Sequence, residues 1–62
     1  MPEVTIKLIV GRTLEQKRGL VTDITAALVR NVGCKPEVVT IDIIEYTNEN
    51  KAKGGELFID RA

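Results

Sequence analysis

Residues 3–16, EVTIKLIVGRTLEQ, change period in mid-stretch. Val4, Ile6, Leu8 and Val10 fall on one face of an extended chain, with Glu3, Thr5, Lys7 and Ile9 on the other. That alternation predicts a strand over Glu3–Val10, buried mainly on one side. Gly11 ends it. Thr13 then reads as a helix N-cap, and Gln16 three residues later completes a T-x-x-Q capping box. From Leu14 to Val32 the apolar residues Leu20, Val21, Ile24, Ala27 and Leu28 keep helical spacing, while Arg18, Asp23 and Arg30 lie off that stripe. Gly33 stands where a C′ glycine belongs. Gly19, inside the helix, costs about 1 kcal/mol relative to alanine. It either permits close packing or is simply tolerated.

Downstream, Pro36 blocks any continuation of the helix. Residues 38–45, VVTIDIIE, form a second β-rich run. Its apolar residues occur on both faces, as in a more central strand. Residues 47–53, TNENKAK, are polar and turn-like, and Gly54-Gly55 is a strong turn signal. Leu57-Phe58-Ile59 reads as a short closing strand. The fold class is therefore α/β (α+β): a βαβ unit with parallel strands and a short C-terminal hairpin. The helical crossover implies right-handed connection. The sheet edges are left bare, and bare edges invite partner strands. Completion of the sheet in a symmetric oligomer is the natural repair.

Composition points the same way. The 62 residues make one domain, 1–62. A chain this short buries only about 60% of its unfolded surface, so a monomer is marginal. It has one cysteine and no histidine, which excludes an internal disulfide and argues against a structural metal. Oligomerisation is the remaining stabiliser. Aliphatic residues are plentiful, with Tyr46 and Phe58 the only aromatics. Nine acidic and nine basic residues are dispersed along the chain, so nothing favours nucleic acid. No apolar run approaches membrane-spanning length, and no leader-like pattern appears. With a lone Cys34, best read as a small inert thiol, these features fit a reducing cytoplasm.

Pro2 stands just before the first strand. A strand tolerates proline at its first residue, which is the plain structural reading. The functional reading is that Met1 is trimmed, leaving Pro2 a free secondary amine on a rigid ring. Met1-Pro2, Gly11-Arg12-Thr13 with Glu15-Gln16-Lys17, the run Ile43-Ile44-Glu45 and Gly54-Gly55-Glu56-Leu57 together resemble the tautomerase superfamily, specifically small subunits similar to 4-oxalocrotonate tautomerase. The resemblance covers the whole length without a gap. It implies a βαβ subunit in a hexamer, a trimer of dimers, with an amino-terminal proline as catalytic base and no cofactor.

Such a base must be mostly unprotonated near neutral pH, whereas an α-amine titrates near ~7.7–8.0 and a proline amine higher. Burial and a nearby guanidinium both oppose the ammonium form. Arg12 lies at the far end of the first strand from Pro2 in its own subunit. The family's architecture implies that it reaches a neighbour's Pro2, there to bind a substrate carboxylate bidentately. The plain reading of Arg12 is a solvated residue between a strand end and a cap.

Two positions depart from the family pattern. The oxalocrotonate enzymes have an arginine in the second strand that helps polarise the substrate's keto group; this register has Thr40. They have an aromatic wall before the Gly-Gly pair; here it is Lys51. Losing one charge-stabilising donor is worth roughly 3 kcal/mol, about a hundredfold in rate. Lys51 is a candidate replacement cation, set against an ordinary solvated lysine. Thr40 is more simply a β-branched strand residue. Tyr46 is better read as a packing aromatic at a subunit interface than as a catalytic acid, and Glu45 and Glu56 as structural or hydrogen-bonding carboxylates. Two functions are carried forward. One is an isomerase moving a proton in a small 2-oxo or 2-hydroxy-dienoic acid, as a homo-hexamer or as a hetero-hexamer of two kinds of subunit. The other is a non-catalytic partner subunit of a hetero-oligomeric assembly.

Overall fold

The computed structural model describes residues 2–61; Met1, and with it the expected trimming, lies outside the described residues, as does Ala62. The chain runs β1 (Glu3–Ile9), α1 (Leu14–Val32), β2 (Thr40–Tyr46), then a small hairpin of β3 (Ala52–Lys53) and β4 (Glu56–Leu57). β1 and β2 pair in parallel, with Glu3 opposite Thr40, Leu8 opposite Glu45 and Ile9 opposite Tyr46. The helix occupies the span its spacing predicts. The Thr13 hydroxyl accepts from the Gln16 N–H at 3.1 Å, and Gln16 Oε1 accepts from the Thr13 N–H at 2.8 Å. These bonds satisfy two of the helix's unpaired N-terminal donors. At the other end Gly33 is left-handed at φ 82°, and its N–H donates to the Val29 carbonyl. An added methyl at Gly19 would meet nothing within 4 Å, so within one chain this glycine serves no close approach.

All three expected strands have ends that differ from the sequence reading. β1 stops at Ile9; Val10 sits at a bend, although its N–H still donates to the Tyr46 carbonyl at 2.9 Å. β2 begins at Thr40 rather than Val38 and runs on through Tyr46. Pro36 starts a 3₁₀ turn over Pro36–Val38, in which the Val38 and Val39 amides donate to Lys35 and Pro36 and are lost to the ladder. The closing strand ends at Leu57. The Phe58 N–H donates back to the Lys51 carbonyl at 2.8 Å, where β3 has run out, and Phe58–Asp60 coils into another 3₁₀ turn. Gly54 and Gly55, at φ 62° and 83°, supply the paired left-handed residues of a two-residue hairpin turn.

Alternation divides the sheet. Val4, Ile6 and Leu8 of β1, with Ile41, Ile43 and Glu45 of β2, point toward α1. Lys17 of α1 reaches that face and pairs with Glu45 at 2.9 Å. Thr5, Lys7 and Ile9, with Asp42, Ile44 and Tyr46, make the face that α1 leaves open.

No described residue is fully buried. The surface measures 4874 Å², against about 4,000 Å² for a compact monomer of this mass. The radius of gyration is 15.0 Å and the extents are 43 × 25 × 15 Å, where a compact chain of this length has a radius near 11 Å. Val10, Leu14, Val32, Ile44 and Ile59 are large apolar residues left exposed. The chain by itself therefore has no closed core. Among the described residues, no helix is long and apolar enough to cross a membrane.

Candidate active site

Pro2 is half-buried at the entry to β1, and its carbonyl accepts from the Thr40 N–H at 3.1 Å. This bond exists because the parallel register places Glu3 opposite Thr40. Of the sequence-predicted residues, the chain brings these two together. Thr40 contributes its backbone to the contact; its exposed side chain makes no hydrogen bond among the described residues.

Arg12 and Lys51 lie at the opposite end of the sheet. β1, seven residues and about 23 Å long at ~3.3 Å per residue, lies between Pro2 and Arg12. Arg12 follows the bend after β1 and lines a groove of about 300 Å³ with Leu8, Gln16, Lys17 and Leu20, between the sheet and the start of α1. Two cations line this groove, and they differ. Lys17 is held by Glu45, whereas Arg12 has no ion-pair partner among the described residues. A guanidinium left free beside apolar walls is suited to a carboxylate, which it grips through two parallel N–H bonds.

Lys51 lies at the same end, toward the other face. Its ammonium stands 4.5 Å from the centre of the Tyr46 ring and 5.3 Å from that of Phe58. With Lys7, Ile44, Tyr46 and Asn50 it lines a second groove, of about 280 Å³. Lys7, a lining residue of this groove, is not singled out by any motif of the sequence. The signal was its place in β1: two-residue alternation puts it on the open face, and pairing sets it opposite Ile44. Glu45 and Glu56, read from the sequence as structural or hydrogen-bonding carboxylates, pair with Lys17 at 2.9 Å and with Arg61 at 3.7 Å.

One chain thus offers a half-buried proline at one end of a sheet, and two unneutralised cationic grooves on opposite faces at the other. Within the chain, neither groove reaches the proline.

Comparison with known proteins agrees with this architecture. Residues 2–61 match the family described as "Tautomerase enzyme". A probable tautomerase of Bradyrhizobium diazoefficiens is 48% identical over 62 residues, covering 100% of this chain and 92% of the relative. The 2-hydroxymuconate tautomerase of Bacillus subtilis is 38% identical over 60 residues, covering 97% of each. The crystal structure of YwhB, a homologue of 4-oxalocrotonate tautomerase, superposes with a TM-score of 0.89 at 36% identity, over 98% of this chain and 100% of that one.

Proposed function

The chain belongs to the tautomerase family, and on that premise we propose that it is an isomerase acting on a small 2-oxo or 2-hydroxy-dienoic acid, with Pro2 as the base. The observation that carries this reading is the placement of Pro2, half-buried at the start of β1 with its carbonyl tied to Thr40. Once Met1 is removed, the nitrogen becomes a basic secondary amine whose ring is held by the strand behind it. The amine takes the proton from the enol oxygen. The electron pair closes the carbonyl, and the proton returns to carbon further along the conjugated system. Bonds and electrons balance with no redox partner, so the chemistry asks for no cofactor.

Arg12 of another copy holds the substrate carboxylate. The length of β1, which keeps Arg12 away from Pro2 in its own chain, favours a contribution in trans, and the open surface of the single chain supports an oligomer; the family resemblance suggests a hexamer. The charge that develops on the substrate's oxygen needs a further donor. The Thr40 hydroxyl and the Lys51 ammonium are the groups available where the oxalocrotonate enzymes have an arginine and an aromatic. A reducing cytoplasm suits a chain with one half-buried, unpaired thiol, Cys34.

Intact mass establishes whether Met1 has been removed, and turnover of 2-hydroxymuconate or phenylenolpyruvate is then compared between wild type and Pro2→Ala. The expected result is a Met-free chain whose turnover drops by about 10²–10⁴-fold in Pro2→Ala, the range for loss of a positioned base. Equal activity in the two would overturn the mechanism. A correctly trimmed wild type that turns over neither substrate would favour the partner-subunit reading, to which Thr40 and Lys51 already lend an observation.

A further inference from the structure

We propose that the open-face groove is a carboxylate subsite built from Lys7 and Lys51, and that it selects for substrates carrying an anionic group at that end. The proposal deepens the proton-transfer reading and rests on it for the identity of the ligand as an enol acid.

Lys7, Lys51, Ile44, Tyr46 and Asn50 line this groove, so it contains two ammonium groups and no carboxylate. Neither ammonium has an ion-pair partner among the described residues, whose ion pairs engage Lys17, Arg18 and Arg61 instead. Lys51 is also held in place. Its ammonium lies over Tyr46 at 4.5 Å and within 5.3 Å of the Phe58 ring centre. Aromatic faces attract a cation through their quadrupole without neutralising it. Such contacts lower the cost of fixing a flexible lysine and leave N–H donors for an anion.

The remaining lining defines the rest of the ligand. Ile44 is 48% exposed and stands opposite Lys7 in the ladder, giving an apolar floor beside the cations. The Tyr46 ring offers a flat wall, and the Asn50 amide a further donor. An apolar floor, a flat wall and two cations together fit a conjugated carbon skeleton ending in a carboxylate. This groove is distinct from that of Arg12, which lies on the helix side of the sheet.

The test compares binding of muconate and sorbate, linear dienes of equal length that differ by one carboxylate, followed by NMR titration of the intact protein. Wild type is expected to bind muconate at least about tenfold more tightly, the scale of one charge-assisted contact. Lys7→Met and Lys51→Met should each cut that preference to about threefold or less. Lys51→Arg should restore most of it, and Lys35→Met, remote from the groove, should leave it intact. Circular dichroism and oligomer mass establish that each variant is folded, and the arginine variant keeps the test open should Lys51→Met fail to fold. Equal binding of the two dienes by wild type, or a preference that survives in either lysine-to-methionine variant, overturns the two-lysine subsite. If the preference follows the lysines while no enol acid is turned over, the proton-transfer reading fails and the subsite stands. If turnover depends on Pro2 but the preference ignores the lysines, the subsite fails and the proton-transfer reading stands.

Discussion

The two faces of the β1–β2 sheet carry similar aliphatic residues in different surroundings. Val4, Ile6, Leu8, Ile41 and Ile43 lie toward α1 and are half-buried by a helix that the same chain supplies. On the other face Ile9 and Tyr46 are half-buried, whereas Ile44 is largely exposed beside Lys7. The helix side is the product of local instructions: a strand, a capping box and a helical stripe within one stretch of chain. The open side needs contacts that the chain does not make with itself. The division matters for chemistry as well as stability, because Pro2 and the two cationic grooves sit at opposite ends of this half-finished sheet.

The largest consequence concerns folding itself. Apolar burial is the main force opposing conformational entropy, and no described residue is fully buried in the single chain. Folding and association should therefore be one event. Apparent Tm should fall as protein is diluted, because mass action links the stability of an obligate oligomer to subunit concentration. Thermal melts over a hundredfold range of concentration, with sedimentation velocity alongside, check this. A folded species with the mass of one chain and a Tm indifferent to dilution would show that the helix side suffices alone.

The next effect tests the separation between the two ends. Arg12→Gln should raise KM for a carboxylate substrate by about tenfold or more, the cost of a lost charged hydrogen bond. Pro2→Ala should act on kcat. Refolded together and assayed at substrate concentrations below KM, the two impaired variants should show more activity than either alone, because an assembly can then join an intact Pro2 from one copy with an intact Arg12 from another. Absence of recovery in demonstrably mixed assemblies would place Arg12 outside the site. The roughly 23 Å length of β1 keeps Arg12 away from the Pro2 of its own chain, so the proposed site requires Arg12 from another copy, and complementation is the direct readout of that proposal.

These ends were unequally legible in the sequence. β1, save for Val10 at its end, and α1 are readable because alternation, the Thr13–Gln16 box and Gly33 are local signals that agree with one another. Val38 and Val39 have strand propensity and read as the start of β2, while Pro36 commits their amides to a turn. Phe58 misled in the same way: a β-forming residue whose N–H is used to close the hairpin onto Lys51. The distance between Pro2 and Arg12 is set by the length of β1 and is legible from alternation, whereas the contact of Pro2 with Thr40 depends on the register between β1 and β2, which no local pattern states. Lys7 became visible as a groove residue only once β1 and β2 were aligned.

Smaller effects belong to the helix that supplies the covered face. Thr13→Ala removes the hydroxyl that accepts from Gln16 and should cost about 1 kcal/mol of stability, as at other N-caps. Urea melts at fixed protein concentration measure it. Lys17→Met should cost at most ~1 kcal/mol, since the Lys17 and Glu45 side chains keep 27% and 34% of their exposure and partly exposed pairs are weak. Larger losses at either position would mean that docking of α1, rather than its local stability, holds the covered face.

The smallest expected effect is the most discriminating about what lies outside the chain. A methyl at Gly19 would touch nothing within 4 Å, and the residue has no positive φ to preserve. In one chain, then, Gly19→Ala should stabilise by up to about 1 kcal/mol through helix propensity alone. In an assembly the same methyl also probes the outer surface of α1. A gain in urea midpoint would show that this part of the helix faces solvent and that neighbouring copies gather on the open side of the sheet. A loss, with the helix content unchanged, would place another copy against Gly19 and make the glycine a point of close approach between chains. The sign of this change therefore tells whether the face that the chain covers for itself is also one that its neighbours use.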